Sequence, residues 1–257
     1  APAQHEIAPI YSDANSACDK NQLTMELLKK VAARHGLVCL LHEKPFAGVN
    51  GSGKHDNWSL ATDTGENLLK PGSTPSQNAQ FLLFLAAFIK GVDEYQEMLR
   101  CCVSYPGNDH RLGGNEAPPA IISIFLGDEL TAILDSIIQG TAYVDITKKK
   151  LTIGVDTLPE IPQDTTDRNR TSPLAFTGNK FEFRMLGSSQ SIASPNVVLN
   201  TIMAEELSRF ADILEKADDF QSALQTLLHD TFTAHQRIIF NGNGYDESWV
   251  QEAARRG

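Results

Sequence analysis

The sequence has no long hydrophobic run and no surplus of positive charge. Its longest apolar run, Phe81 to Ile89, has nine residues, whereas a helix that spans a lipid bilayer needs about 20. Lysine and arginine together number 22 against 32 aspartates and glutamates, so the formal net charge is −10. Because nucleic-acid binding depends on a basic surface that neutralises phosphates, the composition argues against both a membrane span and a nucleic-acid partner.

Cysteine is also scarce. The 257 residues contain four cysteines, and none of them is spaced as a CxxC pair. Cys101 and Cys102 are adjacent at the end of a helical pattern, where a disulfide framework would be unusual. Reduced thiols and a cytoplasmic location are therefore expected.

The chain begins Ala1-Pro2-Ala3, with neither an initiator methionine nor the charged and apolar regions of a signal peptide. The other end, at Gly257, is equally abrupt. We therefore expect these residues to be a portion of a longer protein.

What is present is an ordinary globular composition, with 41% hydrophobic and 21% charged residues. Residues 42–72 are rich in glycine and polar residues and are predicted to form a long loop, which is uncommon unless it has a function. Hydrophobic periodicity elsewhere predicts a mixed α/β or α+β fold, without a repeat or a clear linker. The predicted helices are about 15–34, 75–102, 128–138, 196–217 and 220–240, and the predicted strands are 37–41, 120–126 and 180–185.

One part of the glycine-rich loop nearly matches a phosphate-binding motif. Residues 48–55 read GVNGSGKH, but His55 stands where the P-loop pattern GxxxxGK[ST] needs a hydroxyl that reaches magnesium. A P-loop must also open a helix, and the residues after His55 are a poor helix start. The P-loop interpretation is therefore disfavoured, although the glycines still permit close approach of the backbone to a ligand.

Residues with metal- and phosphate-binding chemistry are spread through the glycine-rich segments. Imidazole and carboxylate groups hold divalent metals, and arginine forks bind phosphate and carboxylate oxygens. Glu182 and Arg184 share one face of a predicted strand because side chains alternate along a strand. Together these residues indicate phosphoryl transfer or carboxylate activation. The set comprises His55, Arg111, Glu116, Arg168, Arg170, Glu182 and Arg184.

Five segments, in order along the chain, resemble motifs of the glutamine synthetase family. The sequences around two of these segments, HEKPFAGVNGSGKH and GNDHRLGGNEAPP, are similar to those of the type III enzymes of that family. Residues 4–6 resemble the family's GQxE motif, and residues 42–59 resemble the signature built around KP…NGSGxH. Residues 111–118 resemble RLxxGxEAP, residues 167–172 resemble RNRS, and residues 180–184 resemble RxExR.

The resemblance implies an α+β fold, the catalytic-domain fold of that family, with antiparallel strands flanked by helices. Residues 1–195 would be the C-terminal part of that domain, and residues 196–257 a helical region of the same domain or of its extension. The N-terminal β-grasp domain and the first half of the catalytic domain would be missing, so we expect the chain alone to be inactive. The full-length protein would be a ring-forming homo-oligomer, a dodecamer by family analogy.

The activity implied by the resemblance is the ligation of glutamate and ammonia with ATP. ATP phosphorylates the side-chain carboxylate of glutamate, and ammonia displaces phosphate from the resulting γ-glutamyl phosphate. Two or three Mg²⁺ or Mn²⁺ ions would offset the negative charge of the triphosphate and the carboxylate. By motif position, Glu6 would bind the metal nearer glutamate, whereas His55 and Glu182 would bind the metal nearer ATP.

The resemblance also assigns the glutamate-binding and catalytic residues. Asn50 and Gly51 would contact glutamate, and Arg111 would clamp one of its carboxylates. Arg184 would contact glutamate beside it and stabilise the transferring phosphoryl group. Glu116 matches a mobile-flap glutamate that shields the acyl phosphate from water and helps to position ammonium.

On the nucleotide side, the resemblance implies Asn57, Ser59, Arg170 and Lys180. Arg170 would lie on the ATP phosphates, where catalysis must stabilise developing charge. Lys180 stands where many family members have arginine, so it would act as a point charge instead of a bidentate fork. Residues 187–191 depart from the family pattern and receive no role.

A second hypothesis is a non-catalytic family relative that binds glutamate or nucleotide as a sensor. Such a protein would be free to lose His55, Glu182 or Arg184, and all three are present. The enzyme is therefore favoured. Simpler explanations stay open for two residues, since Glu6 could be a surface residue at a strand edge and Lys54 could simply face solvent.

Overall fold

A mixed sheet forms the base on which the helices pack. The computed structural model describes residues 3–114, 117–144, 150–151, 161–162 and 171–257. The strands of the main sheet are β1 Gly53–Trp58, β2 Ile124–Phe125, β5 Leu174–Phe176 and β6 Phe181–Gly187, and a separate antiparallel pair consists of β3 Lys150–Leu151 and β4 Ile161–Pro162.

The main sheet has the order β1-β6-β5-β2. Strand β6 lies between β1 and β5 and is antiparallel to both, whereas β2 is parallel to β5. Because β6 is paired on both edges and covered on both faces, all of its residues except Glu182 are buried.

The described part of the chain contains eight α-helices. Side-chain oxygens of Asp13, Asn78, Asp219 and Asp246 cap helix starts by accepting backbone N–H groups of the first turn. None of these helices has the length and hydropathy needed to cross a membrane. The helices are α1 Ala14–Arg34, α2 Ala79–Glu94, α3 Gln96–Cys101, α4 Pro106–Arg111, α5 Asp128–Gln139, α6 Ala193–Leu214, α7 Phe220–His235 and α8 Glu247–Arg256.

Helix α2 forms the centre of the core. It packs against α6 and α7, and its Phe88 ring contacts the sheet. That ring is stacked on Phe181 of β6, with centroids 3.6 Å apart and planes 8° apart. Trp58 of β1 adds a tilted contact to Phe88 at 5.6 Å. These buried aromatic contacts fix the sheet against the helical layer and so hold β1 and β6 in place.

Strand β1 was not expected, because it lies within the segment predicted to be a loop. Its side chains alternate, with Asp56 and Trp58 buried and His55 and Asn57 exposed. Pairing with β6 stabilises this strand, and pairing is a tertiary interaction that a local pattern does not reveal. The predicted strand at 37–41 is wrong, since those residues form no regular structure.

The other predicted elements are mostly confirmed. The helices predicted at 15–34 and 128–138 correspond to α1 and α5, and Gly140 ends α5 in the left-handed conformation. The helix predicted at 75–102 is divided into a 3₁₀ turn, α2 and α3. No predicted element covers the short helix α4, which positions Arg111.

Candidate functional site

The pairing of β1 with β6 brings together two predicted metal ligands. The register joins Asn57 to Glu182 and shifts between Lys54 and Asp56, where Arg184 and Met185 of β6 lie opposite His55 alone, so a β-bulge falls on β6. Such bulges re-aim a side chain next to functional sites. The Nδ1 atom of His55 lies 2.9 Å from Oε1 of Glu182. Since half of the His55 side chain is exposed, an imidazole and a carboxylate are both accessible from one side of the sheet.

Arg184 lies on the same face of β6 as Glu182 but is only 2% exposed. Its Nη2 atom donates hydrogen bonds to Oγ1 of Thr171, at 3.3 Å, and to the carbonyl oxygen of Ser172. Contacts with residues just before β5 therefore fix one end of the guanidinium group.

Arg111, the last residue of α4, is buried against the same strand. Its Nη2 atom donates to the carbonyl oxygens of Arg184, at 3.2 Å, and Leu186, at 3.0 Å. Its Nε and Nη1 atoms are buried and have no hydrogen-bond partner among the described residues. Burial lowers the pKa of this guanidinium, and the nearby Glu43 carboxylate raises it. Because a buried donor without a partner costs free energy, the Nε and Nη1 donors of Arg111 are suited to bind an anion.

The glycines of the NGSGKH segment allow that segment to close over Arg111. A Cβ atom on Gly51 would lie 2.6 Å from Cγ of Arg111, and one on Gly53 would lie 2.2 Å from Nη2 of Arg111. Both distances are far shorter than a van der Waals contact, so a larger residue would displace the arginine. The segment then continues into a strand and not into a helix, which contradicts the P-loop interpretation.

Glu43 connects the glycine loop to the loop that follows β6. Its Oε1 atom accepts hydrogen bonds from the N–H and hydroxyl groups of Ser189, at 2.8 and 2.6 Å, and its carbonyl oxygen accepts from the N–H of Ser52. Burial raises the pKa of Glu43, but hydrogen bonds from Ser189 and Tyr105 outweigh this effect and keep the pKa below its usual value. A buried carboxylate is thus held near Arg111.

Lys54 points inward, which contradicts the solvent-facing alternative. Its Nζ atom donates to carbonyl oxygens in the loop after β6, at 2.8 Å for Ser188, and lies 3.3 Å from Sδ of Met25 in α1. Burial lowers the pKa of Lys54 to about 8, against the opposing effect of Glu43. The loop of residues 187–191, for which the resemblance implied no role, is therefore held by the buried Glu43 and the half-buried Lys54.

Residues predicted for the nucleotide side lie at the C-terminal end of β1 and before β6. Asn57 is exposed and pairs with Glu182 across the two strands. The Ser59 hydroxyl donates to the carbonyl oxygen of Asn179 at 2.9 Å, and Lys180, the next residue, is half-buried. Ser59 therefore fixes the turn that leads into β6.

Other predicted residues are not part of this cluster. Glu6 lies in an exposed segment before α1, and Asn50 is half-buried next to Gly51. Glu116 and Arg170 lie outside the described residues. Within the described ranges, no group of three or more His, Cys, Asp and Glu side chains is arranged to hold a metal ion. The cluster therefore consists of two candidate metal ligands and two buried arginines.

Two family profiles match the chain. Residues 1–121 match the profile described as glutamine synthetase, catalytic domain, and residues 223–257 match the glutamine synthetase C-terminal domain. Together they cover more than half of the chain and include the glycine loop and Arg111. The chain belongs to the glutamine synthetase family. The recognition made from the motifs is confirmed, whereas the boundary at residues 195 and 196 lies between the two matches and stays a prediction.

Relatives in this family are similar along the whole chain. The type-3 glutamine synthetase of Dictyostelium discoideum is 56% identical, and the glutamine synthetases of Butyrivibrio fibrisolvens and Bacteroides fragilis are 52% and 49% identical. Each alignment covers 100% of this chain but only 35%, 37% and 36% of the respective relative. The chain thus spans little more than a third of the length of these glutamine synthetases.

A solved structure of apo GmaS without ligand has a similar fold. It superposes with a TM-score of 0.52 at 16% sequence identity, covering 96% of this chain and 50% of that chain. At this identity the similarity concerns the fold alone, and with the family match it confirms the α+β catalytic-domain fold predicted for the chain.

The family motifs did not reveal Glu43, Lys54 and Ser189 as parts of the site. All three lie in or beside motif segments, but their roles depend on burial and on contacts between distant loops. One feature of the sequence could have indicated these residues: residues 187–191 depart from the family pattern. A loop with a different sequence is held by different side chains. Glu43 and Lys54 are those partners here.

Proposed function

We propose that the full-length protein that carries this chain is an ATP-dependent glutamate–ammonia ligase, which forms glutamine through γ-glutamyl phosphate. The observation that carries this proposal is Arg111, a buried guanidinium with two N–H groups that lack partners among the described residues. It lies against the strand pair that joins His55 to Glu182. A guanidinium that can bind a carboxylate therefore lies beside an imidazole and a carboxylate that can bind a metal. This combination suits a substrate that is phosphorylated on a carboxylate.

Glutamate binds through Arg111 in this proposal. Its Nη2 atom is held by carbonyl oxygens of β6, so the remaining N–H groups are oriented before the substrate arrives. A charge-assisted hydrogen bond in a buried site is stronger than one in water. Asn50 and Gly51, in the loop that closes over the arginine, complete the glutamate contacts.

The donor set fits a divalent metal, because His55 and Glu182 present an imidazole and a carboxylate that already approach to 2.9 Å. These two residues would hold one of two or three Mg²⁺ or Mn²⁺ ions, and Glu6 would hold another. Bound divalent ions would offset the negative charge of the ATP phosphates and the glutamate carboxylate. His55 binds metal as the neutral imidazole, since a protonated ring has no free lone pair.

ATP lies on the side of the β1–β6 pair where Asn57, Ser59 and Lys180 are located. Lys180 supplies positive charge without a bidentate fork, and Arg170 contacts the phosphates. This placement puts the nucleotide next to Glu182, on the same strand as Arg184. The transferring phosphoryl group would therefore lie between the nucleotide and the two arginines.

The reaction has two bond exchanges. A γ-carboxylate oxygen of glutamate forms a bond to the terminal phosphorus of ATP while the bond to ADP breaks. Ammonia then forms a bond to the acyl carbon, phosphate leaves with the C–O bond electrons, and the nitrogen loses a proton. Arg184 stabilises charge on the phosphoryl oxygens, and Glu116 receives the role of excluding water and positioning ammonium.

The proposal extends to assembly and location. We infer a cytoplasmic homo-oligomer, a ring of twelve subunits by family analogy. The four cysteines are free thiols, which is typical of a reducing compartment. Apolar side chains such as Ile10 and Val38, 89% and 82% exposed, offer surface for contacts that this chain does not make with itself.

The test measures glutamine formation by the full-length protein with and without ATP, ammonia and divalent metal. Arg111→Lys keeps the charge but removes the fork, so we expect the KM for glutamate to rise about 20-fold, because charge-assisted hydrogen bonds are lost. The matched control is Arg34→Lys, at the exposed end of α1, which should leave the KM unchanged.

Two outcomes would contradict the proposal. Glutamate or nucleotide binding without any turnover would favour the sensor hypothesis. An unchanged KM in the Arg111→Lys variant of an active enzyme would remove Arg111 from the glutamate site. The 257-residue chain alone is expected to be inactive, and glutamine formation by it would disprove that expectation.

A further inference from the structure

The segment after α7 returns to the main sheet and extends it beyond β2. The N–H of Phe240 donates to the carbonyl oxygen of Ile124 at 2.8 Å, and Ile239 forms a parallel bridge with Ile124. The side-chain oxygen of Asn241 accepts hydrogen bonds from the N–H groups of Leu126, at 2.9 Å, and Gly127, at 3.1 Å. The backbone of this segment is therefore fixed to the sheet.

Helix α8 holds the same segment from its other side. The ring of Trp249 is stacked on the ring of Phe240, with centroids 3.7 Å apart and planes 10° apart. Arg256 lies over Trp249 at 5.3 Å and donates to the carbonyl oxygens of Arg237 and Ile239, both at 3.0 Å. Contacts on both sides make the segment a rigid support.

From this support, Tyr245 reaches the residues that follow Arg111. Its hydroxyl donates a hydrogen bond to the carbonyl oxygen of Ala117 at 2.7 Å. Ala117 is 8% exposed, and its N–H donates to the carbonyl oxygen of Gly114 at 3.1 Å, while Pro118 accepts from Gly113 at 2.9 Å. Tyr245 therefore holds Ala117, and hydrogen bonds join Ala117 and Pro118 to Gly114 and Gly113, which follow closely after Arg111.

Two further contacts connect the C-terminal segment to the site. Burial lowers the pKa of the Arg111 guanidinium, and Tyr245 is one of the groups near enough to oppose that effect. The Ser172 hydroxyl donates to the carbonyl oxygen of Phe240 at 2.7 Å, and the Ser172 carbonyl oxygen accepts a hydrogen bond from Arg184. Both buried arginines are thus backed by elements that the C-terminal segment contacts.

We propose that Tyr245 is a positioning residue for glutamate binding, because its hydroxyl holds the turn base formed by Gly113, Gly114, Ala117 and Pro118 and thereby orients Arg111. This inference rests on the proposed function, in which Arg111 receives a glutamate carboxylate. It gives the C-terminal segment a role in substrate affinity in addition to its packing role.

The test compares Tyr245→Phe with the unchanged full-length protein. The substitution keeps the ring and removes the hydroxyl. We expect the KM for glutamate to rise about fivefold, because one hydrogen bond is worth about 1 kcal/mol. The KM for ATP should change less than about twofold, and kcat less than about threefold, since no atom of Tyr245 acts on the reacting groups.

Asp246→Ala is the matched control. Asp246 is the next residue and caps α8 by accepting from the N–H of Ser248 at 3.0 Å, so its loss also costs about 1 kcal/mol but leaves the tyrosine hydroxyl in place. We expect this variant to lower the melting temperature and leave the KM for glutamate unchanged.

An equal rise of the glutamate KM in both variants would overturn the proposal, since the effect would then follow from general loosening of the C-terminal segment. An unchanged KM in Tyr245→Phe would also overturn it. Neither result affects the proposed function, which fails if the unchanged full-length protein forms no glutamine from glutamate, ammonia and ATP.

Discussion

Helices α1 and α2 both have an apolar face, yet only one of them is part of a core. α1 has 21 residues and none is buried, with Leu23, Leu27 and Val31 between 45% and 59% exposed. α2 has 16 residues, ten of which are buried against the sheet and two other helices. Periodicity predicts the helix and its apolar side, but it does not identify what covers that side.

The comparison extends to the charged residues. Around α2, the buried Glu206 pairs with Lys90 at 2.5 Å and with Arg209 at 2.8 Å. Around α1, the ion pair of Glu26 with Lys30 is more than half exposed at both residues. The difference shows that α2 lies in a buried core, whereas α1 contributes no buried residue and its Glu26–Lys30 ion pair faces solvent.

The largest expected effect comes from removing matched leucines. Leu85 in α2 is 0% exposed and Leu27 in α1 is 48% exposed. Leu85→Ala should lower the free energy of unfolding by about 3 kcal/mol because it leaves a cavity, and Leu27→Ala should lower it by less than about 0.5 kcal/mol. Urea denaturation measures both. A similar loss in the two variants would show that α1 is as well packed as α2.

A smaller effect is expected from two neighbouring glutamates on α6 that share Arg209. Glu206 is 0% exposed, whereas half of the Glu205 side chain is exposed, 2.9 Å from Arg209. Glu206→Gln should destabilise by roughly 2–3 kcal/mol because Lys90 and Arg209 lose a buried counter-charge. Glu205→Gln should cost less than about 0.5 kcal/mol. Thermal denaturation of the two variants measures the difference. Equal decreases of the melting temperature would contradict the assigned difference in burial.

The smallest effect concerns the N-caps of two helices. Asp219 accepts from the first-turn N–H groups of α7, and Asp13 accepts from the N–H of Ser16 in α1. Asp219→Ala should lower global stability by about 1 kcal/mol, because α7 packs on α2. Asp13→Ala should leave the global value within about 0.3 kcal/mol and only speed amide exchange within α1. Amide hydrogen exchange measures both the global stability and the local opening of α1. Unchanged exchange rates in α1 of the Asp13→Ala variant would contradict the expected local fraying.

Much of the fold was predictable from the sequence. The helical periods predicted α1, α2, α5, α6 and α7, and the strand predicted at 180–185 corresponds to β6, whereas α8 was not predicted. Strand β1 was not predictable, because its polar and glycine-rich residues are stabilised by pairing with β6. The predicted strand at 37–41 failed for the opposite reason, since an apolar run has no regular structure unless a neighbour pairs with it.

The candidate site shows the same division. Motifs supplied His55, Glu182, Arg111 and Arg184, and the structure brings these four residues to one strand pair. The supporting residues were not predicted, because the roles of Glu43 and of others like it arise from contacts between segments more than a hundred residues apart. A single sequence does not reveal such contacts.

The sequence by itself determined the family, the α+β class and the residues with the relevant chemistry, since these depend on local order and residue type. Tertiary structure alone decided that the pairing of β1 with β6 brings His55 to Glu182, that Lys54 points inward, and that Tyr245 holds Ala117. The physical reason is that burial, pairing and hydrogen-bond geometry depend on distant parts of the chain meeting in space. Residue type specifies which interactions are possible, and the fold decides which of them form.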